Sequence, residues 1–286
     1  MTDVVTTTAG FFPDPPTAQT DATISLQQEL GFDRIIAHQV NWTHGLLEPL
    51  ALHSSCNTAE KQYPGRITVD TEFTETGLLD DNVPLASDTR MLCIPDPYTL
   101  LDCCAGSYFA TETECLAAIT DYLYREVAQA PPHATLMMVS PAIVDNPPSD
   151  GMDERCSNAI DRIASASSNE VIFAGFGDGY TDKVHAHLLD ARIDALGYDM
   201  ITSKETSREL ITEYGSTADI ALGVVDATTG IGKATSVLQE GISSFINGFG
   251  VQEFTTVYAM PAGPLDTLPW KALTPLLSPL SALRTV

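Results

Sequence analysis

Short apolar runs rich in β-branched residues alternate along this chain with longer stretches in which apolar residues recur every three or four positions. The first pattern suits strands buried on both faces and the second suits helices with one core-facing side, so the alternation predicts a parallel sheet with helical crossovers. Eight runs read as strands: Val4–Thr8, Arg34–Ala37, Met91–Ile94, Thr135–Val139, Val171–Ala174, Ile193–Leu196, Ile220–Val225 and Thr255–Tyr258. Eight such units in 286 residues predict a (β/α)8 TIM barrel, a single α/β domain over 1–286, in preference to an open doubly wound sheet. Arg66–Phe73 also reads as extended and falls in an excursion at about 45–88, between the second and third strands.

Several helices carry their own punctuation. Thr111 with Glu114 three residues later forms a capping-box signature, and Leu116, Ile119, Leu123 and Val127 then mark one buried face through about Val127. Thr202 and Glu205 repeat the device before Leu210, while Leu238, Ile242, Phe245 and Phe249 mark another buried face ending at Gly248 and Gly250. The segments Phe12–Thr23 and Asp145–Asp153, rich in Pro and Asp, are expected to be loops.

Charge narrows the function. With 38 acidic and 14 basic residues the formal charge is -24, which repels nucleic acid backbones and anionic lipid surfaces. Only five of the basic residues are lysines, and the acids are spread along the chain, as suits a hydrated surface working in concentrated salt, where screening suppresses self-repulsion. Met1 to Gly10 has neither a basic segment nor an apolar stretch, and no apolar run reaches membrane-spanning length, so a cytoplasmic protein without membrane partner is expected. The six cysteines contain no C-x-x-C and are expected to be mostly buried thiols.

In a barrel of this kind function sits where strands end and the following loops begin. Those ends carry a resemblance. Thr6-Thr7-Thr8-Ala9-Gly10-Phe11-Phe12-Pro13 resembles the T-T-x-G-S-F-P start of the cobalamin-independent methionine synthase family. Leu30-Gly31-Phe32-Asp33 followed by Gln39-Val40-Asn41-Trp42 resembles the G-x-D…D-G-Q-V-R-W segment of its short, single-barrel members. Ile94-Pro95-Asp96-Pro97-Tyr98-Thr99-Leu100 is similar to their G-P-Y-T-L turn, Gly223-Val224-Val225-Asp226 matches G-V-V-D, and Pro261-Ala262-Gly263-Pro264 stands where the family has P-D-C-G-L. In order and spacing these pieces cover nearly the whole chain.

The resemblance implies a 5-methyltetrahydrofolate (or other methyl donor)–homocysteine methyltransferase scaffold, but the departures fall on its chemistry. The family holds zinc through an H-x-C pair, a glutamate and a late cysteine, so that homocysteine sulfur binds as thiolate. By position these fall on Phe173, Gly175, Asp199 and Ala262, leaving one ligand of four, so no metal is expected in this chain. The serine that helps seat homocysteine becomes Phe11, the acidic pair of D-E-P becomes Val139-Ser140, and the histidine after G-V-V-D becomes Thr228.

Other motifs compete for attention. Gly175-Phe176-Gly177-Asp178-Gly179 resembles a dinucleotide loop, but its third glycine would fall at Tyr180; a tight turn at a strand end explains the glycines as well. Gly230-x-Gly232-Lys233 lacks the first glycine, at Ala227, and the Ser/Thr, at Ala234, of a phosphate loop. His185 and His187 would share a strand face but point apart on a helix, and read as surface or partly buried. Asp178, Asp199 and Asp226 are the candidate catalytic or cation-binding acids, with helix capping an equal alternative. Gln39, Trp42, Asp96 and Tyr98 are candidate ligand-binding residues, although for the two rings, near strand ends, a place in the core is the favoured reading.

Three functions stand open at this point. The first is a non-catalytic or accessory barrel in methyl transfer to homocysteine, with zinc carried only by a partner, a zinc-bearing methionine synthase homologue. Full-length enzymes of the family are themselves two barrels, of which one carries zinc. The second is an independent metal-free enzyme using the barrel-mouth carboxylates, and the third a small-molecule binding protein.

Overall fold

The apolar runs pair side by side, every strand parallel to its neighbours. A computed structural model describes residues 2–13, 15, 22–36, 67–69, 72–74, 77, 79, 85–86, 88–105, 108–249 and 252–284. In chain order its strands are β1 (Asp3–Thr6), β2 (Ile35–Ile36), β3 (Ile67–Thr68), β4 (Arg90–Pro95), β5 (Cys104–Ala105), β6 (Thr135–Val139), β7 (Val171–Ala174), β8 (Ala195–Asp199), β9 (Asp219–Val225) and β10 (Thr256–Pro261). The helices are α1 (Ala22–Leu30), α2 (Pro97–Cys103), α3 (Glu112–Ala128), α4 (Pro141–Asp145), α5 (Met152–Ala164), α6 (Asp182–Leu189), α7 (Lys204–Tyr214), α8 (Thr235–Ile246) and α9 (Leu273–Ser281).

Eight of the strands form one curled sheet in the order β1-β10-β9-β8-β7-β6-β4-β2, with helices in the crossovers, the single-domain (β/α)8 arrangement expected. Every residue of β4, β6, β7 and β8 is buried, which is why these runs lack the apolar/polar alternation of a half-exposed strand. β3 and β5 pair separately, so part of the extended Arg66–Phe73 segment docks on the turn after α2.

Among the described residues no ladder joins the end strands β1 and β2; two backbone bonds at Thr6 and several side-chain bonds close the seam instead. Thr6 O accepts from the backbone N–H groups of Asp33 and Arg34, both at 3.1 Å. The Asp33 carboxylate answers by accepting from Thr6 N at 2.8 Å and Thr6 Oγ1 at 2.6 Å. On α1 the fully buried Gln27 offers its amide to β2 as a neighbouring strand would: Ile36 N donates to Oε1 at 3.0 Å, and Nε2 donates to Ile36 O at 3.1 Å. A buried backbone group without a partner is expensive, so this glutamine stands in for missing ladder bonds.

At the N-terminal end of the strands Glu170, just before β7, ties opposite sides of the curl together. Its Oε2 accepts from Tyr258 Oη of β10 at 2.8 Å and lies 4.0 Å from Arg34 Nη2, just before β2. Burial, then Glu170 itself, push the Tyr258 hydroxyl well up, so it stays a donor. Tyr258→Phe is expected to lower stability by about 1 kcal/mol, since Glu170 keeps water and Arg34 as partners; urea unfolding at constant salt checks this.

Three local expectations change. β8 lies two residues later than Ile193–Leu196, because Ile193 N donates to Ala191 O in a turn and the Asp194 side chain accepts from Val171 N. α7 is not opened by a Thr202–Glu205 box: its N-cap is Ser203, and Thr202 N is held by Asp199. In the expected loop Asp145–Asp153, Asp145 closes α4, and Met152 and Asp153 open α5. The α3 cap forms as read, Glu114 N donating to Thr111 Oγ1, and α8 buries Leu238, Ile242 and Phe245. No helix among the described residues is long and apolar enough to cross a membrane. The excursion at about 45–88 lies mostly outside the described residues.

Candidate functional site

At the C-terminal ends of the strands the loops enclose a pocket of about 310 Å³. Phe11, Pro141, Phe176, Ala262 and Pro264 give it apolar walls, and three carboxylates, Asp145, Asp199 and Asp266, stand among them. Its described lining contains no Lys, Arg or His. Phe11 holds a left-handed backbone, φ 54°, directly after Gly10 at φ 78°. A non-glycine residue there is strained by about 1 kcal/mol or more, and Leu265 N donating to Phe11 O at 2.9 Å helps hold the turn.

Asp199 ends β8 and organises two loops. Its Oδ1 accepts from Ile201 N at 2.6 Å and Thr202 N at 2.8 Å, and its Oδ2 accepts from Gly177 N at 3.1 Å. Burial raises its pKa while these N–H groups pull it back. Burial also raises Asp145, helped by the charges of Asp178 and Asp102, and raises Asp266. The apolar walls thus hold carboxylates in a setting that disfavours their charge.

Of the three acids read from sequence, Asp199 alone lines this pocket. Asp178 is exposed on the adjoining loop. Asp226 accepts from Thr228 Oγ1 at 2.7 Å and Thr228 N at 2.8 Å, which holds its carboxyl below the usual range, as in a turn that caps itself. Asp96 is fully buried at the N-cap of α2, accepting from Tyr98 N at 2.8 Å and Thr99 N at 3.3 Å; burial pushes its pKa up to about 6. Tyr98 donates to Asn146 O at 2.9 Å and lines a separate cavity of about 430 Å³ outside α2, with Tyr108 and Phe109. Gln39 and Trp42 lie outside the described residues.

Asp145 and Asp266 were not singled out in the sequence. Asp145 sits one helical turn past the strand end, and only the short α4 brings it back over the mouth. His185 is also unlike its reading: it is fully buried, its Nε2 3.0 Å from Tyr198 Oη, and burial lowers its pKa to about 4.

The four positions that the resemblance equates with zinc ligands do not fit that ion. Phe173 is fully buried in β7, and Gly175 N is bonded to Tyr180 Oη at 3.0 Å. A Cβ on residue 175 would lie 2.7 Å from the Tyr180 ring and hydroxyl, so Tyr180 occupies the space a ligand side chain there would need. Ala262 has no donor atom, and Asp199 is committed to three N–H groups. Among the described residues no group of three or more His, Cys, Asp or Glu side chains is placed to hold a metal ion.

No protein-family model matches the chain, and no curated protein matches it by sequence. Solved structures do match in fold. A B12-independent methionine synthase from Shewanella sp. W3-18-1, solved in complex with selenomethionine, superposes with a TM-score of 0.74 at 14% identity, covering 97% of this chain and 95% of that one. A putative vitamin-B12-independent methionine synthase from Listeria monocytogenes gives 0.62 at 16% identity, covering 97% and 98%. At these identities the likeness is one of fold: this is a methionine synthase-like barrel.

Proposed function

We propose that this chain is a zinc-free barrel that binds a small molecule at its mouth and serves as an accessory to a zinc-bearing methionine synthase homologue in methyl transfer to homocysteine, in a salt-rich cytoplasm. One observation carries the reading: Phe173, Gly175, Asp199 and Ala262, at the zinc positions implied by the resemblance, offer one carboxylate, and that carboxylate already accepts three backbone N–H bonds. A tetrahedral zinc site needs several soft or imidazole ligands at once, so the residues present leave the thiolate chemistry to another barrel. What remains at the mouth is a concave, largely apolar pocket with a few polar groups, the usual form of a small-molecule site.

The test is elemental analysis and native mass of protein purified at high salt, followed by assay of methyl transfer from 5-methyltetrahydrofolate to homocysteine. The chain alone is expected to carry no stoichiometric zinc and to give no turnover, and to associate with a zinc-bearing homologue on co-expression. Stoichiometric zinc, or turnover by the chain alone, overturns the zinc-free assignment; failure to associate, with the homologue fully active alone, overturns the accessory role.

A further inference from the structure

We infer that Cys104 and Cys115 form a reversible oxidation site, a thiol pair that hydrogen peroxide converts to an intramolecular disulfide. The inference is independent of the mouth pocket and of the accessory role.

No C-x-x-C announces these residues in the sequence; the fold brings them together. Cys104 opens β5 directly after α2, and Cys115 lies in the first turn of α3, where its N–H donates to Thr111 O at 3.1 Å. Both line the cavity of about 430 Å³ outside α2, and a side-chain hydrogen bond joins the two sulfurs. Both are thiols, with no bridge between them. From hydrogen-bond contact, a disulfide needs the sulfurs to close by about 2 Å. Side-chain rotation and the small ladder of β5 with β3, two residues in each strand, can supply that movement.

The other described cysteines are placed differently. Cys93, Cys103 and Cys156 are buried and do not line this cavity, and burial pushes the Cys156 thiol up and the Cys93 thiol up to about 12. Cys104 is partly exposed on the cavity wall, behind a rim that includes the exposed Tyr108. Cys115 is shifted down, because the hydrogen bond from Cys104 outweighs burial and the charge of Glu112. Thiolate character and access select a cysteine for oxidation, and this pair combines them.

The chemistry closes without a further reactant. The Cys115 thiolate attacks one peroxide oxygen: an S–O bond forms, the O–O bond breaks, and the departing hydroxide leaves as water with the proton of the Cys115 thiol. The Cys104 sulfur then attacks the Cys115 sulfenic acid: the S–S bond forms, the S–O bond breaks, and the hydroxyl leaves as water with the Cys104 proton. The two sulfurs give up two electrons, one hydrogen peroxide becomes two waters, and dithiothreitol reverses the change by thiol exchange.

The test treats the reduced protein, at constant high salt, with hydrogen peroxide in slight excess and maps its peptides by mass spectrometry. One Cys104–Cys115 bridge is expected, with the chain lighter by about 2 Da and restored by dithiothreitol. Cys104→Ser should hold Cys115 as a sulfenic acid that dimedone labels, and Cys115→Ser should consume peroxide at least about tenfold more slowly than the parent. Thiols left unchanged in the parent, or bridges to other cysteines or between chains, overturn the proposal. Equal peroxide consumption by Cys115→Ser and parent, or no dimedone label in Cys104→Ser, overturns Cys115 as the attacking sulfur. The bridge is mapped in the parent, so that result stands whether or not either variant folds.

Discussion

Asp199→Ala is expected to destabilise the barrel by about 3 kcal/mol, lowering the thermal midpoint by about 6–10 °C, whereas Asp199→Asn should lose less than half as much. The alanine removes the acceptor for Gly177, Ile201 and Thr202 N–H groups at once. Charge-assisted bonds of this kind are each worth about 1.5–3 kcal/mol, but the sum is discounted because burial already opposes the ionised carboxyl and because water reaches the loop rim. Asparagine keeps one oxygen in place, enough for the Ile201 and Thr202 pair if it takes the Oδ1 position. Thermal unfolding of both variants at constant salt checks the order. Equal stability of alanine and parent would mean the two loops are held by something other than this carboxylate. The experiment also separates capping from chemistry, since a purely catalytic acid could be removed at little structural cost.

That distinction marks where the sequence was legible. Strand identity came through because runs such as Thr135–Val139 are apolar on both faces, a pattern that depends on composition alone. The α3 boundaries came through because Thr111 and Glu114 are local signals, and the cap they form is local too. What failed depended on distant partners. Thr202 and Glu205 carry the same signature as Thr111 and Glu114, yet Asp199 captures Thr202 N first, so the helix starts one residue on. Gln27 gave no hint that it would replace a strand at the seam, and Asp145 and Asp266 reach the pocket only through α4 and the loop after β10. Asp199 ends a strand and Asp178 and Asp226 follow one, but the loop at each decides whether the carboxylate faces solvent, the mouth or its own turn.

Two buried groups should give the acid stability profile opposing slopes that cancel in the parent and separate in variants. His185 has a folded pKa of about 4 against 6.5 unfolded, because burial disfavours its charge. Tyr180, Tyr198 and Tyr214 rings surround it, Nδ1 has no partner, and Asp182 is the charge that pulls the other way. Its contribution is therefore complete above pH 6.5 and is lost as pH falls from 6.5 to 4, by about 3 kcal/mol. Asp96 moves oppositely. Burial sets its folded pKa at about 6 against 3.8 unfolded, so the folded state takes up the proton first and gains about 3 kcal/mol as pH falls from 6 to 3.8. His185→Gln, uncharged throughout, should thus diverge from the parent by about 3 kcal/mol across pH 6.5 to 4, becoming relatively more stable in acid. Asp96→Asn, which keeps a capping oxygen for α2, should diverge in the other direction between pH 6 and 3.8, being relatively more stable at neutral pH. Difference curves from urea unfolding isolate each group from Asp145, Asp199 and Asp266, whose raised values act in both parent and variant. A flat difference curve for His185→Gln would mean that its ring is protonated as readily folded as unfolded, and that water reaches the Tyr198 network.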